Sequence, residues 1–291
     1  MRATVAYDGT DFLGFQWQAA GRTVQGVLEA ALHAVTGSPA GPGARVVGSG
    51  RTDAGVHATG QVVGFRAAWR HPLPDLQRAL NAVLPPDVAI LELAPAAEQW
   101  HARFSAVRRD YAYTVLNQPL RSPLERRYAH LVTAALDLER MQAAAAALVG
   151  EHDFASFGQP MQRIGPMQRI GPMQRNGPMQ RIGPMQRNGP MQRIGPLQPE
   201  GTTVRRIFRA VWRQEGRRLI FEVSGNAFLR GMVRALVGSL LYVGRGRWPV
   251  ERLAEVLAAR QRALAAPPAP ACGLCLVGVH YADGRPATDD R

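Results

Sequence analysis

The chain has 291 residues, 46% of them hydrophobic, enough for one large domain or two of ordinary size with real cores. No apolar run approaches the roughly eighteen residues a membrane span needs; the longest, such as Leu236 to Val243, are helix- or strand-sized. The net charge of +13 comes from 35 arginines and no lysine, a surface suited to RNA, because arginine is the better phosphate fork and the better stacking partner. A GC-biased genome would give the same excess, since Ala, Gly and Pro are abundant too. Met1 to Val5 passes straight into a strand pattern with no signal-peptide character, so a cytoplasmic protein is expected.

In chain order, Arg2 to Asp8 alternates Ala3, Val5 and Tyr7 against Arg2, Thr4 and Ala6, the period of a first strand. Val24, Val27, Leu28, Ala31, Leu32 and Val35 recur at helical spacing, and the Gly/Pro-rich run from Gly37 to Gly43 ends that helix. Two β-like runs, Arg45-Val46-Val47 and Gln61-Val62-Val63, then flank the polar turn GSGRTDAGVHATG, residues 48–60. A second amphipathic helix follows Pro74, with Leu76, Leu80, Val83 and Leu84 on one side, and stops at Pro85-Pro86. Val88 to Leu93 is a short strand, and from Phe104 onward Tyr111, Tyr113 and Val115 alternate with Ala112, Thr114 and Leu116. A helix is predicted from an Asp137 cap to Gly150.

Residues 160–195 are six tandem copies of PMQR(I/N)G, with Pro196 to Gly201 a decayed seventh. Pro and Gly in every unit forbid a continuous helix and interrupt a sheet ladder, so the whole of 158–201 reads as a disordered low-complexity insertion in a loop. Its six arginines leave the rest of the chain at +7, still basic. Beyond it, Val204 to Arg213 and Arg217 to Val223 read as strands paired around Glu215-Gly216. Helices are predicted from about Ala227 to Val243 and from Pro249 onward, then a Pro-rich connector and a closing strand, Leu274 to Tyr281. Hairpins and helices in mixed order make the class α+β. Cys272 and Cys275 lack the second ligand pair that zinc requires and read as packed thiols, so no metal is expected.

The turn at 48–60 is where chemistry concentrates. Gly55 is followed by Val56-His57 rather than Lys-Ser/Thr, so this is no Walker loop. A dinucleotide fingerprint would need a third Gly where Asp53 stands, and a nucleophile elbow a Ser between its glycines. The plain alternative is a β-hairpin loop with a structural Arg51–Asp53 pair.

GRTDAGVH followed by GQVV resembles the signature of the TruA-type tRNA pseudouridine synthases, and other blocks follow it in order. Tyr7-Asp8-Gly9-Thr10 with Phe12, Gly14 and Gln16 resembles the family's opening YDGTxFxGWQ, with Phe15 in place of Trp. Thr23-Val24-Gln25-Gly26 resembles TVQGxLE; His101 to Ala106 with Arg109, Tyr111 and Tyr113 resembles HARFSA and RxYxY. Gly150 to Phe154 with Phe157 resembles GxHDFxxF, Asn226 to Arg234 resembles NAFLxxMVR, and Gly273-Leu274 with Leu276 echoes GLxL.

The resemblance implies two similar α+β halves, 1–105 and 106–157 with 202–291, sharing one extended, mostly antiparallel sheet with a central active-site cleft. It implies a cofactor-free isomerisation of uridine to pseudouridine in the anticodon stem-loop of tRNA (the family's positions 38–40), by a homodimer that holds tRNA. Asp53 would serve as nucleophile or base, Arg51 would orient Asp53 and fill the space left by the displaced nucleotide, and Tyr111 would stack on the extruded uracil. Arg205, after Thr202-Thr203, resembles the family's TPxR strand and would reach the cleft for substrate binding. Arg103, Arg230 and Arg234 are phosphate-binding candidates, and His57, His101 and His152 read as hydrogen-bonded structural histidines. A nucleic-acid glycosylase and a noncatalytic RNA-binding protein are the alternatives.

Overall fold

The computed structural model describes residues 1–37, 45–159 and 201–282. Its elements in order are β1 (Arg2–Tyr7), α1 (Val24–Thr36), β2 (Val47–Gly48), β3 (His57–Gly64), α2 (Leu73–Val83) and β4 (Val88–Ala94). There follow β5 (Ala106–Asn117), β6 (His130–Val132), α3 (Leu138–Ala146), β7 (Gly150–Asp153), β8 (Val204–Glu215), β9 (Arg218–Gly225), α4 (Met232–Gly244), α5 (Arg252–Ala259) and β10 (Leu274–Tyr281).

Local chemistry sets the helix ends. The Thr23 hydroxyl accepts from the Gly26 N–H at the start of α1, and Gly37, at φ 63°, closes it by donating to the His33 carbonyl. Asp137 caps α3 by accepting from the Arg140 N–H, as its sequence predicts, but the helix stops at Ala146. The residues beyond it turn into β7, which pairs with β8.

The sheet runs β4-β1-β3-β10-β5-β9-β8-β7, with β2 on β3 and β6 on β5. The pairings β10–β3 and β5–β6 are parallel and the others antiparallel. The order β4-β1-β3 recurs as β10-β5-β9, so a central strand is flanked in the same sequence sense twice, and the two threes abut where β10 meets β3. That is the expected α+β class with one extended, mostly antiparallel sheet. At the abutment a Cβ on Gly60 would stand 2.3 Å from the Val277 carbonyl oxygen, so the close approach of the two strands depends on a glycine there. Apolar residues of both halves, from Val5 and Leu76 to Tyr113, Leu236 and Val256, join one continuous core.

Several boundaries differ from the sequence reading. The run Arg45-Val46-Val47 contributes only Val47 to a strand, while β3 begins at His57, four residues ahead of Gln61. Ala227 to Gly231 are not helical; α4 starts at Met232, after Gly231 at φ 71°. The expected end of α1 over 38–43 and the expected disorder of 160–200 lie outside the described residues. Gly158 and Gln159 belong to the folded part: Gly158 is buried, and Gln159 forms a bridge with Arg230.

Candidate active site

The turn between β2 and β3 is folded onto the body by its own polar groups. The Ser49 hydroxyl donates to Gln61 Oε1 at 2.7 Å, Gln61 Nε2 donates to the Gly50 carbonyl at 3.0 Å, and the Ser49 N–H donates to the Val62 carbonyl. Gly55, at φ 76°, reverses the chain, and the Val56 N–H closes the turn on the Asp53 carbonyl. The segment after β1 braces this turn from below. The Phe15 N–H donates to the Thr52 carbonyl, the Gly55 N–H to the Phe12 carbonyl, and the Tyr7 and Thr52 hydroxyls lie 2.8 Å apart. A Cβ on Gly9 would stand 2.0 Å from the Val56 carbonyl oxygen. Two sequence blocks more than forty residues apart thus form one platform.

Asp53 points from the platform with its side chain 26% exposed. Its Oδ2 lies 3.5 Å from Arg234 Nη1 and its Oδ1 3.8 Å from Arg230 Nε, both arginines coming from the segment that leads into and starts α4. Arg234 is the better fixed of the two, since its Nε donates to the Ala269 carbonyl at 2.8 Å and it is 25% exposed against 79% for Arg230.

Arg51, expected to orient Asp53, stands two residues before it on the same turn. Arg51 is exposed and, among the described residues, makes no ion pair with Asp53. Partial burial, then the neighbouring charges of Arg103 and Arg230, pull the Arg51 guanidinium below the ordinary arginine range. It belongs to a group of cations rather than to a pair.

Tyr111 and Tyr113 lie on the same face of β5, and both are buried. The Tyr113 hydroxyl is committed to the Pro270 carbonyl at 2.8 Å. Tyr111 meets Phe228 edge to face, ring centroids 5.0 Å apart. Burial pushes its phenol up to about 12, Arg109 pulling it down and Asp53 adding to the rise, so Tyr111 is the tyrosine that shares its surroundings with Asp53.

Arg205 sits on β8 opposite His152, with Nη1 donating to the Thr202 and Val204 carbonyls at 2.9 and 2.6 Å. Its Nε is buried with no partner, and burial with the charges of Arg103 and Arg109 lowers its guanidinium. Among the described residues it touches neither Asp53 nor Tyr111.

The three histidines are bonded to the backbone. The Gly9 N–H donates to His57 Nδ1 at 3.0 Å, Asp8 Oδ1 lies 3.1 Å from the same nitrogen, and His57 Nε2 lies 2.8 Å from the Arg127 carbonyl. His101 Nδ1 accepts from the Arg103 and Phe104 N–H groups, and His152 Nε2 meets the Val149 carbonyl. Among the described residues no group of three or more His, Cys, Asp or Glu side chains is arranged to hold a metal ion. Cys275 Sγ contacts the Thr59 hydroxyl and Cys272 Sγ the Ala129 carbonyl, and burial raises both thiols.

The sequence makes Arg234 a phosphate-binding candidate, although it lies in a helix that is mostly core. Its signal was that very interruption: a guanidinium amid Met232, Val233, Ala235 and Leu236 must be spoken for by a buried acceptor.

A carboxylate on a glycine turn that faces two arginines from the start of α4, with further arginines nearby, is an arrangement suited to an anionic substrate. Comparison with known proteins agrees. The tRNA pseudouridine synthase family model matches residues 3–105 and 195–282. Relatives named tRNA pseudouridine synthase A include that of Roseiflexus sp., 41% identical over 296 residues, covering 98% of this chain and 92% of that one. Those of Chloroflexus aurantiacus (42% over 289 residues, 96% and 88%) and Limosilactobacillus fermentum (40% over 282 residues, 96% and 95%) are similar to the same extent. A solved Cbf5-Nop10-Gar1 complex aligns with 83% of this chain and 45% of that one at TM-score 0.31 and 13% identity, too loose a likeness to carry an argument. The chain belongs to the tRNA pseudouridine synthase family.

Proposed function

We propose that this protein isomerises uridine to pseudouridine in the anticodon stem-loop of tRNA, with Asp53 as the nucleophile or base. The observation that supports it best is the placement of Asp53, the one carboxylate of the GRTDAGVH turn, between Arg230 and Arg234 and in the same surroundings as Tyr111. The reaction breaks the bond from uracil N1 to the ribose, turns the base and joins its C5 to the same ribose carbon, the C5 proton being lost and N1 regaining one. Nothing is oxidised or released, so a carboxylate that assists departure of the base is the principal chemical requirement, unlike glycoside hydrolysis with its paired acids.

Arg51, Arg103 and Arg230 supply cations beside the site for the phosphates that flank the extruded nucleotide. Tyr111 walls the base pocket with Phe228 behind it. Arg205, with its orphaned Nε and its Arg103 neighbour, fits the outer end of the same cationic strip. We further infer cytoplasmic action as a homodimer, with residues 1–105 and the remainder of the folded chain as its two halves. No helix among the described residues is long and apolar enough to cross a membrane.

The test is to incubate purified protein with unmodified tRNA and map pseudouridine by position. Pseudouridine confined to the anticodon stem-loop is the expected result. Free uracil would mean a glycosylase, and intact uridine with bound tRNA a noncatalytic RNA-binding protein.

A further inference from the structure

Arg109 is the least explained charge in the molecule. It lies on β5, opposite Val279 of β10 and Gly225 of β9, and is only 7% exposed. Buried charges are costly unless paired, yet among the described residues no carboxylate forms an ion pair with it. Its partners are backbone carbonyls instead. Nε and Nη2 fork onto the Ser49 carbonyl at 3.3 and 2.9 Å, Nη2 also donates to the Arg103 carbonyl at 2.9 Å, and Nη1 donates to the Asn226 carbonyl at 2.7 Å.

Those three carbonyls have one thing in common. Ser49 opens the turn that carries Asp53 and Arg51. Asn226 opens the segment that carries Phe228, Arg230 and Arg234. Arg103 lies in the loop before β5 and is the cation nearest in effect to both Arg51 and Arg205. Tyr111 stands two residues along the same face of the same strand. A planar fork can reach three carbonyls in fixed directions; an ammonium at the end of a lysine chain cannot.

We propose that Arg109 is the positioning residue of the site: one guanidinium ties the Asp53 turn, the Arg230/Arg234 segment and the Arg103 loop to the strand that bears Tyr111. It touches no reacting atom and acts through the groups it holds. Losing the fork lets the Asp53 carboxylate and its two arginines drift relative to Tyr111, which costs rate far more than it costs tRNA affinity, because Arg51, Arg103 and Arg230 keep their charges and phosphate attraction tolerates small shifts that the reacting geometry does not.

This inference rests on the reading of Asp53 given above, and its test separates the two. Arg109→Lys is compared with wild type and with Val115→Ala, a buried change on the same strand away from the turn. Three quantities are read at a fixed interval below each melting temperature: single-turnover pseudouridine formation at saturating tRNA, tRNA affinity, and hydrogen exchange over 49–56, 100–105 and 226–230. Arg109→Lys is expected to lose about 100-fold in rate, with affinity within about threefold and faster exchange in all three segments together. Val115→Ala is expected to lose melting temperature without that pattern. Either readout of Arg109→Lys staying at the wild-type value, or falling only as far as Val115→Ala does, overturns the proposal. Failure of both Arg109→Lys and Arg109→Gln to fold would make Arg109 a residue of folding and overturn it as well. If wild type forms no pseudouridine, the functional reading fails, and the exchange measurement alone decides this one.

Discussion

At the scale of single residues, the two arginines on Asp53 are not equivalent, and the difference is measurable. Arg234 is three-quarters covered and anchored by Ala269, whereas Arg230 is 79% exposed and 0.3 Å further from its oxygen. A fixed, partly desolvated donor is worth more in the transition state than a solvated one. Arg234→Gln is therefore expected to lower kcat by about 100-fold with tRNA KM little changed. Arg230→Gln should lower kcat by less than about tenfold and show its effect in KM and its salt dependence. Steady-state kinetics at two salt concentrations checks both, and equal kcat losses would contradict the ranking. Tyr111 is tested similarly. Burial pushes its phenol up to about 12, so in the protein without substrate it carries its proton at neutral pH. Tyr111→Phe should retain most of the rate and Tyr111→Ala should lose about 1–3 kcal/mol of stacking and packing, read as transition-state binding through kcat/KM. Equal rates for wild type and both variants would make Tyr111 ordinary core.

At the scale of elements, what was legible in the sequence was local and what was not depended on distant partners. The stripe of α1, the Asp137 cap and the span of β10 follow from spacing that each segment carries in itself. β6 and β7 are only 3 and 4 residues long; they are strands because β5 and β8 offer them partners, and no alternation announces them. The stripe of α4 extends by pattern back to Phe228, but Gly231 in the left-handed region breaks it, which frees Phe228 to meet Tyr111. In the proposed site, Asp53 and Tyr111 are singled out by motif resemblance. The true partner of Asp53 could not be had from proximity in the chain, because Arg51 is two residues away and Arg234 is 181 away. The abutment of β3 and β10 is likewise invisible in sequence, apart from a glycine at position 60. Gly60→Ala should push these strands apart and destabilise the protein by about 1–3 kcal/mol, with a loss of activity. A urea midpoint equal to that of wild type would show that the junction has slack.

At the scale of the whole molecule, the one continuous core spanning both halves holds several tyrosines whose phenols burial pushes up: Tyr7, Tyr111 and Tyr113. A phenol that keeps its proton longer in the folded state than in the unfolded chain contributes stability in full below the unfolded value, 10.0 for Tyr111. That contribution is lost as pH rises through the folded value, about 12 for Tyr111. Urea midpoints should therefore begin to fall near pH 9, where the Cys272 and Cys275 thiols ionise in the unfolded chain, and fall further above about pH 10 as the phenols follow, and Tyr111→Phe should flatten the second part of the fall. A midpoint flat to pH 11 would contradict the burial on which the joined core depends. All of this serves a site whose chemistry is assigned to a single carboxylate. The most direct measurement is single-turnover pseudouridine formation by Asp53→Asn at saturating tRNA, with tRNA affinity measured in parallel. The expected result is a rate at least about 1,000-fold below wild type with affinity within about threefold, since phosphate contacts and not Asp53 carry binding. A variant that keeps more than about a tenth of the wild-type rate would remove Asp53 from the centre of the reaction.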